Sequence, residues 1–218
     1  MSRKSLIRSV ENPYHVTARV DNREVFPLAL DKIWEIQSKL LFECSILFGI
    51  RVHAFVLMPN HFHLLITTPE ADLGKVMQYL MQSATWTINS KAGRSGHVFG
   101  GRYHWTLVGT PLYFAHALKY VYRNPVKAGI CENVESYSYS SLNILLGKDY
   151  PGFKCWYPFD LDRYLIVPND YEAKLKWLNT PFISEHENEI RKNLKKTRFA
   201  EPKKGWLKVL RELGEHLV

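Results

Sequence analysis

Cysteine is scarce in this 218-residue chain, and its three thiols, Cys44, Cys131 and Cys155, lie far apart with no CxxC spacing. That excludes a secreted disulfide scaffold and a cysteine-built zinc site, and the three read as reduced, mostly buried residues. Also missing is any apolar run near the roughly 18–20 residues that span a bilayer, so no membrane partner is expected. The N-terminal stretch MSRKSLIRSV carries charge with no apolar segment behind it, which argues against a secretion signal and for a cytoplasmic setting. No GxxxxGK[ST] loop is present to cradle nucleotide phosphates, and no repeat is visible at periods of roughly 20–50 residues. With 46% hydrophobic and 13% aromatic residues, low-complexity disorder is excluded as well.

What the chain does have is positive charge in one place. The formal net charge is +8, a surplus that suggests a polyanionic partner only if it is concentrated. Residues 190–211 hold nine basic residues and one acidic, whereas residues 1–189 hold 20 basic and 18 acidic. The basic segment, IRKNLKKTRFAEPKKGWLKVLR, interleaves Lys195, Lys196, Arg198, Lys203 and Lys204 with Leu194, Phe199 and Trp206. Such a composition suits a nucleic-acid-binding appendage, with a solvated amphipathic helix as the alternative. On the first reading, truncation after about residue 189 would weaken DNA binding and leave the chemistry of the body intact.

Hydrophobic patterning predicts the order strand, helix, strand, strand, helix, strand, helix. YHVTARV (14–20) reads as a strand; residues 28–48 follow helical spacing and stop at Gly49. IRVHAFVLM (50–58) and HFHLLITT (61–68) are neighbouring strands joined at Pro59-Asn60. Asp72 caps a second helix with Leu73, Val76, Met77, Leu80, Ala84 and Ile88 on its buried stripe. A strand at 102–109 precedes Thr110-Pro111, a start signal for a third helix ending near Pro125. This is an α+β layout, a mainly antiparallel ferredoxin-like sheet with helices on one face. A domain of residues 1–147 is expected, followed by a basic, aromatic-containing extension at 148–218.

Two constellations carry chemistry. In a strand, His61 and His63 point the same way while Phe62 points oppositely, so two imidazoles side by side could hold a divalent ion. The alternative is a pair of surface histidines. On the third helix Tyr120 and Asn124 share a face, with His116 one turn earlier. A phenolate there could attack a phosphate that a metal polarises, although tyrosine's unperturbed pKa of ~10 demands activation. Tyr120 could equally be a core aromatic, and Asn124 a helix-terminal residue ahead of proline.

Four segments in order, HAFVLMPNHFHLLITTPE (53–70), FGGRYHWTLV (99–108), KYVYRNPVKAG (119–129) and SYSYSSLNILLG (136–147), resemble the transposases of the IS200/IS605 type. Within that type the chain is most similar to the REP-associated tyrosine transposases, over roughly residues 10–147. The resemblance implies a ferredoxin-like or RRM-like HUH domain, a single-tyrosine nuclease named for its His-hydrophobe-His pair. By position, His61 and His63 match the pair that binds Mg²⁺ or Mn²⁺, and Tyr120 matches the nucleophile. Asn124 falls where the superfamily often has a third ligand, commonly the longer Gln. Tyr122 is the rival nucleophile, but it points about 200° away from Tyr120 on a helix. The Tyr120 hydroxyl is expected to face the His61/His63 side of the sheet. His116 is an auxiliary candidate, as base or extra ligand.

The implied reaction is strand transfer on single-stranded, hairpin-forming DNA through a 5′-phosphotyrosine link. Arg102, Lys119, Arg123 and Lys127 are expected at phosphates, and Lys195, Lys196, Arg198, Lys203 and Lys204 on the hairpin. A homodimer is left open. Two other readings stand beside this one: a domesticated, non-catalytic hairpin-binding protein, and an unrelated HxH metal-dependent hydrolase. The hydrolase is disfavoured by the lack of Asp or Glu near the strand ends at 53–68.

Overall fold

The computed structural model describes residues 5–70, 72–148, 152–156, 167–168 and 170–199. Strands β1 (Tyr14–Arg19), β2 (Arg51–Met58), β3 (His61–Thr67) and β4 (His104–Leu107) form one sheet in the order β2-β3-β1-β4, with each neighbouring pair antiparallel. Helix α1 (Leu30–Phe48) links β1 to β2, and α2 (Leu73–Ala92) links β3 to β4. This is the ferredoxin-like α+β order expected from the pattern.

Local signals account for the helix bounds. Gly49 ends α1 at φ +60°, and Gly93 ends α2 at φ +61°, conformations that favour glycine. The Asp72 side chain accepts from the Lys75 N–H at the start of α2. The stripe expected on α2 is buried throughout, whereas Leu47 of α1 stays exposed. Helix α3 (Pro111–Lys127) starts at Thr110, whose hydroxyl accepts from Tyr113 N–H. It continues past the expected stop at Pro125. A proline in the last turn removes only its own N–H, and Ala128 N–H still reaches Asn124 O at 3.0 Å.

Helices on one face is correct for α1 and α2 alone. They cover Val16, Phe62, Leu64 and Ile66, each fully buried and worth roughly 1.5–3 kcal/mol of transfer free energy. Helix α3 packs on the opposite face, over Ala54, Val56, Met58 and Leu65. The cause lies in β2, whose near-continuous apolar run is buried on both sides rather than alternating. A register shift between Val52 and Ala54 inserts His53 as an extra residue, so Val52 and Phe55 can both face α1 and α2.

Beyond α3 the chain folds back over it. A short helix, α4 (Leu142–Leu145), is followed by α5 (Tyr171–Asn179) and α6 (Ser184–Asn193). Leu178, Ile190, Leu194 and Phe199 are buried in one cluster with Phe114 and Leu118 of α3. The expectation of a separable basic tail therefore fails for residues 190–199, because their three apolar residues belong to the core. Truncation after residue 189 would strip Ile190, Leu194 and Phe199 from that core and destabilise the fold itself. Lys203 and Lys204 lie outside the described residues. Among the described residues, no helix is long and apolar enough to cross a membrane.

Candidate active site

Strand alternation does the first part of the positioning. Burial of Phe62, Leu64 and Ile66 against α1 and α2 leaves His61 and His63 on the α3 side. The same rule in β1 sends Tyr14, Val16 and Ala18 into the α1/α2 core, so His15, Thr17 and Arg19 share the histidine face. The ladder sets Arg19 opposite His61 and Thr17 opposite His63.

Helix α3 then brings Tyr120 down onto this surface. Its half-buried ring lies edge-on to His63 at 5.8 Å between centroids and to His15 at 6.2 Å. Tyr122 goes elsewhere: it is buried, with its hydroxyl 3.2 Å from Ser141 Oγ.

Hydrogen bonds decide which imidazole nitrogens are available. His61 Nδ1 lies 2.6 Å from Asn60 Oδ1, an acceptor, so the proton sits on Nδ1 and Nε2 keeps a bare lone pair. His63 Nδ1 is 3.0 Å from His15 Nε2. Burial holds all three rings neutral, lowering His61 to about 4, His15 to about 3 and His63 well below the ordinary value. A neutral imidazole with a free nitrogen is what a divalent ion requires. Asn124 donates its Nδ2 to Tyr120 O at 2.8 Å, which leaves Oδ1 as its only ligand atom. Among the described residues no group of three or more His, Cys, Asp or Glu could hold an ion. An ion on His61 and His63 must therefore complete its shell with Asn124 Oδ1, water or phosphate oxygens, as hard cations do.

Burial also raises the Tyr120 pKa; Arg191 and Arg19 oppose that rise, and Glu187 adds to it. His116 packs against Phe182 at 6.1 Å between ring centroids, and burial pushes it down to about 4.

Three cations expected at phosphates have protein partners instead. Lys119 is buried, its Nζ 5.0 Å over Trp177 and 4.9 Å over Phe182, and burial lowers its pKa to about 8. Arg123 is buried and donates to the carbonyls of Leu178 and Asn179, at the C-terminal end of α5 where a cation is favoured. Lys127 pairs with Glu187 of α6 at 2.5 Å. All three hold α5 and α6 onto α3, because the chain after α3 returns across it. Arg102 is exposed.

Lys195, Lys196 and Arg198 are exposed too, on a segment pinned to the edge of β4. There Leu107 N–H donates to Thr197 O, Phe199 N–H to Leu107 O, and the Thr106 hydroxyl to the carbonyls of Leu194 and Lys196.

Two residues of this surface, His15 and Arg19, were not singled out from the sequence. The signal was there: in YHVTAR, as in HFH, every second residue shares a face.

Residues 10–124 match the family described as transposase IS200-like, which is more than half of the chain. The chain belongs to that family. Among solved structures, this transposase is similar to a REP-associated tyrosine transposase bound to a REP hairpin, at 16% identity and a TM-score of 0.58. That match covers 84% of this chain and all of the other. A candidate transposase from Deinococcus radiodurans R1 also matches at 16% identity, covering 60% of this chain and 91% of its own, but the TM-score of 0.37 carries no argument. No curated protein matches. Family membership makes the chain a DNA-acting enzyme of transposition, and the structural likeness establishes the shared fold.

Proposed function

We propose that this transposase cuts and rejoins single-stranded DNA at hairpin-forming sequences, with Tyr120 as nucleophile and Mg²⁺ or Mn²⁺ held by His61 and His63. The observation that carries the reading is the seating of Tyr120 against His63, across the face where both imidazoles turn. The two rings fit the ion, being neutral and, at His61, aimed by a hydrogen bond at Nδ1. When bound, the ion supplies Lewis-acid charge at the non-bridging oxygens of the scissile phosphate.

The chain's own groups do the rest. Tyr120 Oη forms the new bond to phosphorus as the P–O3′ bond breaks, leaving a 3′-hydroxyl on one DNA end and a phosphotyrosine on the other. Burial keeps the phenol protonated at rest, so its proton must leave to solvent as the bond forms while the departing O3′ takes one up; the positive charges of Arg19 and Arg191 favour the loss from Tyr120. Attack by a 3′-hydroxyl on the phosphotyrosine reverses the step and joins the strands, with Tyr120 taking a proton back. Because the phosphodiester is conserved, no nucleotide triphosphate is needed. Arg19, beside His61 in the ladder, and Arg102, exposed before β4, are the cations placed to hold the flanking phosphates. Hairpin DNA as substrate is supported by the shared fold with the hairpin-bound relative and by the exposed row of Lys195, Lys196 and Arg198.

The test is incubation of end-labelled hairpins carrying single-stranded flanks with Mn²⁺, comparing wild type and Tyr120→Phe by denaturing gel. A covalent adduct in wild type alone supports the reading. An adduct with the phenylalanine variant removes Tyr120 from the role, and binding without cleavage by wild type favours a hairpin-binding protein.

A further inference from the structure

We propose that His15 positions the candidate metal site: its Nε2 accepts the Nδ1–H of His63 and thereby keeps the His63 Nε2 lone pair free for the ion. The inference rests on the reading of His61 and His63 as metal ligands. It adds a residue that does not touch the ion and acts only through His63.

The two rings meet end to end. Their planes differ by only 21°, and their centroids are 5.2 Å apart, about what two ring radii laid in line with a 3.0 Å nitrogen–nitrogen hydrogen bond would give. Face-to-face stacking would bring the centroids closer. A single ion bridging the two nitrogens along this line would need roughly 4 Å between them, so His15 and His63 share a proton and not a metal.

That proton has two homes. If His15 holds it on Nε2, then His63 must be protonated on Nε2 and its outward nitrogen cannot bind an ion. If His63 holds it on Nδ1, the outward Nε2 is bare, matching the state that Asn60 imposes on His61. The second arrangement puts the His15 proton on Nδ1, a buried nitrogen with no hydrogen-bond partner among the described residues. Among the described residues none accepts from that nitrogen, and Thr106, its direct neighbour in β4, turns its hydroxyl proton to the carbonyls of Leu194 and Lys196. A histidine buried at the centre of the sheet with one nitrogen unsatisfied is a poor choice for packing alone. It is a sensible one if His63 requires an acceptor at Nδ1, as metal-bound imidazoles ordinarily do.

The experiment uses the full-length protein and Mn²⁺, with the free ion measured by electron paramagnetic resonance, alongside ¹⁵N NMR of the histidine rings. Wild type is expected to bind Mn²⁺, and His63 to show the Nδ1–H tautomer. His15→Leu is expected to bind about 10–100-fold more weakly. His15→Gln, whose side-chain oxygen accepts a hydrogen bond, is expected to recover most of the loss. Unchanged affinity in His15→Leu overturns the inference while sparing the metal reading. So does a His63 ring that carries its proton on Nε2, or that binds the ion through Nδ1. The NMR result is read on the unaltered protein, so it decides even if the leucine variant does not fold. Absence of Mn²⁺ binding by wild type overturns the metal reading itself, and this inference with it.

Discussion

The two faces of the sheet are built from the same strands and do different work. Toward α1 and α2, β3 presents Phe62, Leu64 and Ile66, all without solvent exposure, in a dry apolar layer. Toward α3 it presents His61 and His63, beside His15 and Arg19 of β1, under the Tyr120 ring. The dry face gives stability; the other face holds neutral histidines in the core at a cost, and it is there that the proposed chemistry would lie. Period-two alternation lets one seven-residue strand serve both.

Substitutions on the two faces should therefore separate stability from activity. The largest effect belongs to Tyr120→Phe: adduct formation is expected to fall by on the order of 10³-fold or more, with the melting temperature and hairpin affinity nearly unchanged, as read by gel, calorimetry and a binding titration. Equal losses of stability and cleavage would merge the two faces into one structural unit. On the dry side, Phe62→Ala is expected to cost about 3–5 kcal/mol of unfolding free energy in a urea titration, through the cavity it leaves. A cost below about 1 kcal/mol would mean that the dry layer collapses around the gap.

Acidification tests the histidine face together with His53 and His116, whose pKa values burial also lowers to about 4. His15, His61 and His63 all have folded pKa values lowered by burial, while the unfolded chain takes up protons near the ordinary value of 6.5. The stability they permit is present above pH 6.5 and is lost as the pH falls toward about 4, at no more than roughly 1.4 kcal/mol per histidine per pH unit. Urea titrations at pH 7 and pH 5 measure it, and a flat profile would show that these rings are hydrated. The smallest expected effect is at the β4 edge. Replacing Lys195, Lys196 and Arg198 together by alanine should leave cleavage at saturating enzyme unchanged and flatten the salt dependence of DNA binding by about two to three units of slope.

Much of this was legible beforehand. The order of elements, the α2 stripe and the HFH pair follow from periods of 3.6 and 2, which are local properties. So does the separation of Tyr120 from Tyr122, since residues two apart on a helix point different ways. His15 was legible in principle, by the same alternation that exposed His63, yet nothing in the sequence says that β1 lies beside β3. The cations were misread for a related reason. Charge is visible in a sequence and its partner is not, so Lys119, Arg123 and Lys127 read as phosphate ligands until α5 and α6 are seen to fold over them.

The sequence by itself thus determined the local geometry: which residues form strands and helices, and which share a face. Only the tertiary structure decided which faces meet. It put α3 on the side of the sheet opposite α1 and α2, set His15 end to end with His63, and drew Ile190, Leu194 and Phe199 of the basic segment into the core. The physical reason is that face-sharing depends on backbone periods of a few residues, whereas juxtaposition depends on how the whole chain buries its apolar surface.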